Sequence, residues 1–438
     1  MLDKIYSALC KSRFYADARL VRGVSSAFLS EDGKISGTSG EICGIGVRAI
    51  VNGSVGYAWS TNLSDFNILL KKAEKLASLN KGGVSLAECE IAKGDFGRNH
   101  PFPTAEEKVA QLKEAGKSAI SKKTRNATLA LRDSNTEKAF LSSEGAFLSQ
   151  KSSYVYFSVV AVAKEGAQMQ RGIDRASSRT DYSGLDFCAV AKTARESAER
   201  LLRAEPPPKG RFSVIMNPEM TGVFSHEAVG HASEGDSIVE RESLFKGLLG
   251  KKIANENVTI IDDPSRKEFG NYAYDDEGVK GEPAPIIEKG ILKTFLHSRE
   301  SAKALNLPPN GHCRAQDFKF APIVRMSNTV FGKGKDSEND IFDVKDGIYA
   351  IGMKGGSVDI FTGDFMFAAR EAWLIKNGSK EKLLRDTTIS GNILETLKGV
   401  ECVGKDWGTS PGMCGKSAQG APVSDGGPHI RVANMKVG

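Results

Sequence analysis

An α+β fold in two parts is predicted by three observations. Alternating apolar and polar residues run between Gly-containing turns, amphipathic helical stretches interrupt them in the first half, and a proline cluster at 205–210 separates that half from a second one built mainly of short strands. The expected architecture is an N-terminal domain (1–205) of antiparallel sheet with packed helices. It is followed by a C-terminal domain (206–438) that is mainly β, barrel-like, and carries one functional helix.

Residues 1–10 read as a short amphipathic helix. From 16 to 59 the alternation suggests an antiparallel meander. Phe66, Leu69, Leu70, Ala73 and Leu76 fall at helical spacing within 63–79, and 104–120 repeats the pattern behind a Thr104-Ala-Glu-Glu107 start that resembles a capping box. Strands are expected over 127–163 and a helix over 183–202. Pro206, Pro207 and Pro208 cannot continue that helix and favour a stiff extended spacer. A strand over 211–216 then leads to a helix at Asn217-Pro218, a favoured N-cap followed by a favoured first residue. Short strands are expected at 258–262, 290–296, 356–363 and 373–378.

At 438 residues the chain exceeds one ordinary core, so two domains are expected. Sixty Lys plus Arg against 54 Asp plus Glu leave +6, too small and diffuse an excess to indicate nucleic acid. The densest basic cluster, Lys122-Lys123-Thr124-Arg125, reads as the end of a helix. The start of the chain lacks the basic and apolar regions of a signal peptide, and the longest apolar run, 154–163, is far short of the roughly 20 residues of a membrane span. The seven cysteines form no C-x-x-C pair, which argues for a reducing compartment; a cytoplasmic protein without membrane or nucleic-acid partners is expected.

The chemistry concentrates in Ser225-His-Glu-Ala-Val-Gly-His231, an HExxxH pattern one residue longer than that of zinc peptidases. Imidazole suits borderline metals, and a glutamate beside the first ligand is where a general base for an activated water must sit. On an ideal α-helix, however, His226 and His231 point about 140° apart. A π-bulge would bring them together, and Gly230 offers backbone freedom for that distortion; the alternative is two histidines on opposite sides of a regular helix. A catalytic zinc site also needs a third protein ligand. Glu234, Asp236, Cys313, the Asp275-Asp276-Glu277 cluster and Cys414 are the candidates, Cys414 being attractive because its flanking glycines leave the sulfur room. Asp275-Asp-Glu-Gly278 otherwise reads as a structural turn, Cys313 beside His312 as an unpromising nucleophilic pair, and His429 as a structural histidine near the site.

The chain resembles the TldD/PmbA family of metallopeptidases. The likeness rests on the HExxxH segment with Glu234-Gly-Asp236, on Asp275-Asp-Glu-Gly278, Arg325-Met-Ser-Asn-Thr329, Thr362-Gly-Asp-Phe365 and Gly391-Asn-Ile-Leu-Glu395, and on Cys414-Gly-Lys-Ser-Ala-Gln-Gly-Ala-Pro-Val423. In the first half it rests only on the Gly-rich meander and Trp59-Ser-Thr-Asn62. The resemblance implies one Zn2+, with another divalent metal as the alternative, held by His226, His231 and Cys414, and Glu227 as general base. It also implies a catalytic, TldD-type subunit that pairs as a homodimer or as a heterodimer with a related subunit lacking the metal triad. The implied substrates are unfolded peptides and small proteins, antitoxins and peptide-antibiotic precursors among them. Two other readings of the residues are a non-proteolytic peptide-binding or regulatory subunit with a structural metal, and a metal-dependent hydrolase of a small amide.

Overall fold

The computed structural model describes residues 1–438. Seven strands form the first half: β1 (Tyr15–Glu31), β2 (Lys34–Val51), β3 (Ser54–Ser60), β4 (Lys93–Gly97), β5 (Thr124–Ser142), β6 (Phe147–Glu165) and β7 (Gln168–Ser178). Their order is β3-β2-β1-β5-β6-β7, antiparallel throughout, with β4 added in parallel to the start of β6. Four helices accompany the sheet: α1 (Leu2–Leu9), α2 (Phe66–Ser78), α3 (Ala105–Ala119) and α4 (Phe187–Leu201).

Burial alternates along β6 from residue 152 to 163. Val155, Phe157, Val159 and Ala161 are buried, and they form a core with Leu112 and Ala115 of α3 and Ala191 and Ala194 of α4. A second core joins α1 and α2 to β1 and β2 through Leu9, Phe66, Leu69, Ile45 and Val47. Each large side chain so buried contributes about 1.5–3 kcal/mol relative to exposure, and this fixes the register, because a slip of one residue would turn every one of them to water. Thr104 and Glu107 form the capping box expected of α3.

In the second half, β8 (Gly210–Met216) joins Asp346–Val358, Asp364–Lys376, Thr388–Asn392 and Ile430–Val437 in a closed five-stranded barrel. A further sheet runs in the order Ile291–Leu292, Ala284–Glu288, Ile260–Asp262, Asn328–Phe331, Gln419–Gly427, Gly408–Lys416. Between barrel and sheet lies α5 (Pro218–Val223), which packs on strands of both. The predicted cap is present, with the Asn217 side chain accepting from the Met220 amide at 2.9 Å and Pro218 in the first turn.

The two halves meet through polar contacts that are buried at Arg48 and half-buried elsewhere. Arg48 pairs with Asp17 at 2.6 Å and reaches across to Glu277 at 2.7 Å. Lys138 contacts Asp276, Arg175 contacts Glu219, and Arg299 binds Glu144.

Some sequence expectations shift. The strand expected over 290–296 shrinks to Ile291–Leu292, because Phe295 and Leu296 leave the ladder to pack in the core and Leu296 exchanges backbone bonds with Ser233 and Gly235. The stretch 356–363 is the end of one strand plus a turn held by the Asp359 carboxylate. Of the basic cluster, Lys122 and Lys123 follow α3, whereas Thr124 and Arg125 already begin β5. Strand β7 and helix Arg299–Leu305 are additions to the sequence reading.

Candidate metal centre

The helix that begins at Pro218 changes its winding where the motif begins. Phe224–Gly230 is π-helical, and the His231 amide bonds the His226 carbonyl five residues back. One extra residue per turn is what an i,i+5 pair needs to share a face, and the two imidazole centroids stand 5.3 Å apart with their planes at 86°. A 3-10 turn, His231–Ser233, then leads into α6 (Gly235–Glu240).

Gly230 serves a different purpose from the one its sequence position suggests. Its φ of −59° and ψ of −55° are ordinary helical values, so no backbone freedom is used. A Cβ there would overlap the Met326 sulfur, so glycine permits close packing of the helix on its neighbour.

Cys414 arrives from the edge strand Gly408–Lys416. Its sulfur stands 3.5 Å from His231 Nε2, and the candidate donor atoms of His226, His231 and Cys414 all lie within 4.8 Å of one another. Burial pushes the Cys414 thiol up, but the neighbouring His226 and His231 outweigh it and bring it down to about 5. Burial pulls His226 down, yet the Cys414 charge carries it up to about 9; His231 is likewise raised, chiefly by Glu234. A thiolate between two imidazoles is a donor set suited to a borderline metal, and the buried Nδ1 of His226 has no partner. The residues present therefore fit a zinc-type ion.

Behind this group runs a polar chain. Glu234 Oε2 lies 3.2 Å from His231 Nδ1 and 3.1 Å from Lys416 Nζ, which also donates to Asp236 at 2.7 Å. Burial pushes the Glu234 carboxyl up, but His231 and Lys416 hold it below the usual range. Such a carboxylate fixes the imidazole tautomer and leaves Nε2 free for a ligand. Glu227 projects from the π-segment with its side chain 37% exposed and Oε2 3.8 Å from His231 Nε2.

The remaining candidates are engaged elsewhere. Asp275 accepts backbone amides of Glu277, Val279 and Cys313, while Glu277 holds Arg48 and the Arg299 amide. His312 bonds Asp262 in a fully buried pair and also Asn310, and His429 is held between Asp406 and Tyr349. Cys313 lines a cavity of about 490 Å³ between the halves, together with Arg48, Asp236, Glu277 and Glu300. None of His226, His231 and Cys414 lines that cavity, whose Asp236 and Val324 both accept from Lys416.

For two residues beside the group the sequence suggests no role there. Lys416 had a readable signal, since it lies two residues beyond Cys414 on one strand and so shares its face. The segment 425–430 reads in the sequence as a turn near the site; Asp425 lies instead on the strand Gln419–Gly427 beside that of Cys414, and burial pushes its carboxyl up to about 7 against the pull of His226 and Arg175.

Family comparisons agree with this architecture. Profiles of the PmbA/TldA metallopeptidases match three successive stretches: domain 1 over residues 16–79, the central domain over 99–204 and the C-terminal domain over 209–438. Fold and profiles together define a metallopeptidase architecture, and the chain belongs to the TldD/PmbA family. A metalloprotease of Methanothermobacter thermautotrophicus is 38% identical over 434 residues, covering 97% of this chain and 95% of the relative. A zinc metalloprotease TldD homolog of Saccharolobus solfataricus is 36% identical over 306 residues, covering 69% and 68%. Among solved structures, a Thermotoga maritima protein superposes with a TM-score of 0.82 at 20% identity over 100% of this chain and 99% of its own. TldE from Thermococcus kodakarensis superposes with a TM-score of 0.77 at 22% identity over 100% and 98%. No helix is long and apolar enough to cross a membrane.

Proposed function

We propose that this chain is a catalytic, TldD-type zinc peptidase of its family, cleaving peptide bonds in extended polypeptides. The observation that carries the reading is the convergence of His226, His231 and Cys414 within 4.8 Å, with a partly exposed Glu227 beside them. His226, His231 and Cys414 hold the ion, and Glu234 orients His231. Bound there, a zinc ion supplies Lewis acidity, lowering the pKa of water and polarising the scissile carbonyl. Glu227 accepts the proton of the attacking water and returns it to the leaving amine. Three protein ligands, with no fourth side chain in the group, favour catalysis over a closed structural site.

Substrate selection follows from the sheet. Strand Gly408–Lys416 lies at the outer edge of its sheet and carries Cys414, so an extended peptide adding to that edge would bring its backbone to the ion with little dependence on sequence. Pairing with a second family chain, either another copy or a relative lacking the triad, belongs to the same reading and rests on the family resemblance.

The test is cleavage of unstructured peptides by zinc-loaded wild type, Glu227→Gln and Cys414→Ser. Glu227→Gln should keep zinc and lose activity by roughly 10²–10⁴-fold, the usual contribution of a general base, whereas Cys414→Ser should lose both. Wild-type turnover by Glu227→Gln would remove Glu227 from the reaction. Full metal content with no peptide cleavage by wild type would favour the regulatory-subunit reading.

A further inference from the structure

His231 has a carboxylate partner in Glu234; His226 has none. Three buried side-chain atoms at this centre lack any hydrogen-bond partner: His226 Nδ1, Glu234 Oε1 and Asp425 Oδ1. The last belongs to a residue that the mechanism does not use.

The strand register places Asp425 close to His226. Cys414 is paired with Ala421 and Ser410 with Asp425 in one antiparallel ladder, so Ala421, Val423 and Asp425 share a sheet face with Cys414. Asp425 lies four residues along that face, about 14 Å at the usual strand rise. The functional helix packs on this stretch of the strand, because a Cβ on Gly222 would lie 2.7 Å from the Asp425 carbonyl carbon. His226 follows Gly222 by four residues, on the same side of the helix and about 6 Å further along its axis. The imidazole therefore projects between Asp425 and Cys414. The nearby cation of Arg175 is taken by Glu219 at 2.9 Å, and Glu219 also holds Arg370 at 2.8 Å, so neither arginine forms an ion pair with Asp425.

We propose that Asp425 is the positioning carboxylate of His226. It accepts a hydrogen bond from His226 Nδ1 through one bridging water, since the two orphaned atoms do not bond each other directly, and so presents Nε2 to the ion as Glu234 does for His231. A partner of this kind fixes the tautomer and raises ligand basicity. The inference rests on the zinc reading above and deepens it.

The experiment measures zinc affinity by chelator competition, and the absorption spectrum of the cobalt-substituted protein, for full-length wild type, Asp425→Ala, Asp425→Asn and His231→Ala. Asp425→Ala should weaken zinc binding about 10–100-fold and shift the cobalt d–d bands while leaving the melting temperature of the metal-free protein near wild type. Asp425→Asn, whose amide oxygen can still accept, should recover part of the loss. In histidine-labelled zinc protein, the His226 Nδ1 proton should resonate as a hydrogen-bonded imidazole N–H, a readout that needs no variant to fold. Zinc affinity within twofold of wild type in Asp425→Ala, or absence of that proton, would overturn the proposal while leaving the zinc site standing. Undiminished zinc binding by His231→Ala would instead overturn the site itself, and the proposal with it.

Discussion

At the residue scale, the charge state of three side chains determines how the site takes up a metal. In the metal-free protein the Cys414 thiol is lowered to about 5 by His226 and His231, and His226 is raised to about 9 by Cys414. At pH 7 the sulfur is therefore already a thiolate and both imidazoles carry protons. Zinc must displace those protons, so calorimetry in buffers of different ionisation enthalpy should register release of about two protons per ion. Affinity should climb as pH rises towards about 9, where His226 gives up its proton unaided, and fall more steeply below about 5, where Cys414 is protonated as well. Release of only about one proton, that of a neutral thiol, would mean that the imidazoles are neutral and the ion pair is absent. The pairing of the motif histidines was legible from their spacing. Cys414 lies 183 residues from His231; its flanking glycines made it attractive, but local sequence left Cys313 and the acidic candidates open, and the family resemblance selected it. Glu234 was legible as a carboxylate near the site, but not as the partner of His231 rather than a ligand.

At the element scale, the site depends on one segment of helix being wound too wide. The mismatch between five-residue spacing and α-helical geometry made that distortion readable in advance, whereas its extent, Phe224–Gly230, depends on tertiary packing. Deleting Val229 should let the segment close into a regular α-helix with an i,i+4 histidine pair. Because Cys414 is fixed by its own strand, zinc affinity should fall even though the histidines could still converge; unchanged affinity would show that the winding is incidental. Gly230→Ala drives a methyl into Met326 and should cost about 1–3 kcal/mol in denaturant unfolding, the range for overpacking. Met326→Ala in the same chain should recover part of that loss. Among the strands, β6 was legible because its burial alternates cleanly. Strand β7 was not, since Arg171, Gly172, Asp174 and Arg175 break the pattern where the strand lies over α4 and reaches Glu219 of the second half. Gly172 is needed there because a Cβ would overlap the Ala194 carbonyl of α4.

At the scale of the whole molecule, the two halves are joined by buried charge rather than by one continuous apolar core. Arg48 is the clearest case, its guanidinium enclosed between Asp17 and Glu277 with side-chain exposures of 7%, 1% and 1%. Removing it leaves Asp17 buried without its cation and Glu277 with only the Arg299 amide, so Arg48→Met should cost about 3–5 kcal/mol in unfolding; a loss below 1 kcal/mol would mean that water already screens the pair. The α+β class and the barrel-like second half were legible in element patterns, but the closure of five strands and the sheet that delivers Cys414 depend on pairings between distant segments. Those pairings bring His226, His231 and Cys414 onto one point, and the functional account depends on that convergence. X-ray absorption at the zinc edge tests it most directly. The account predicts one sulfur at about 2.3 Å and nitrogen or oxygen neighbours at about 2.0–2.1 Å, with the sulfur shell lost in Cys414→Ser. A wild-type spectrum with no sulfur neighbour, or a sulfur shell that survives Cys414→Ser, would contradict it.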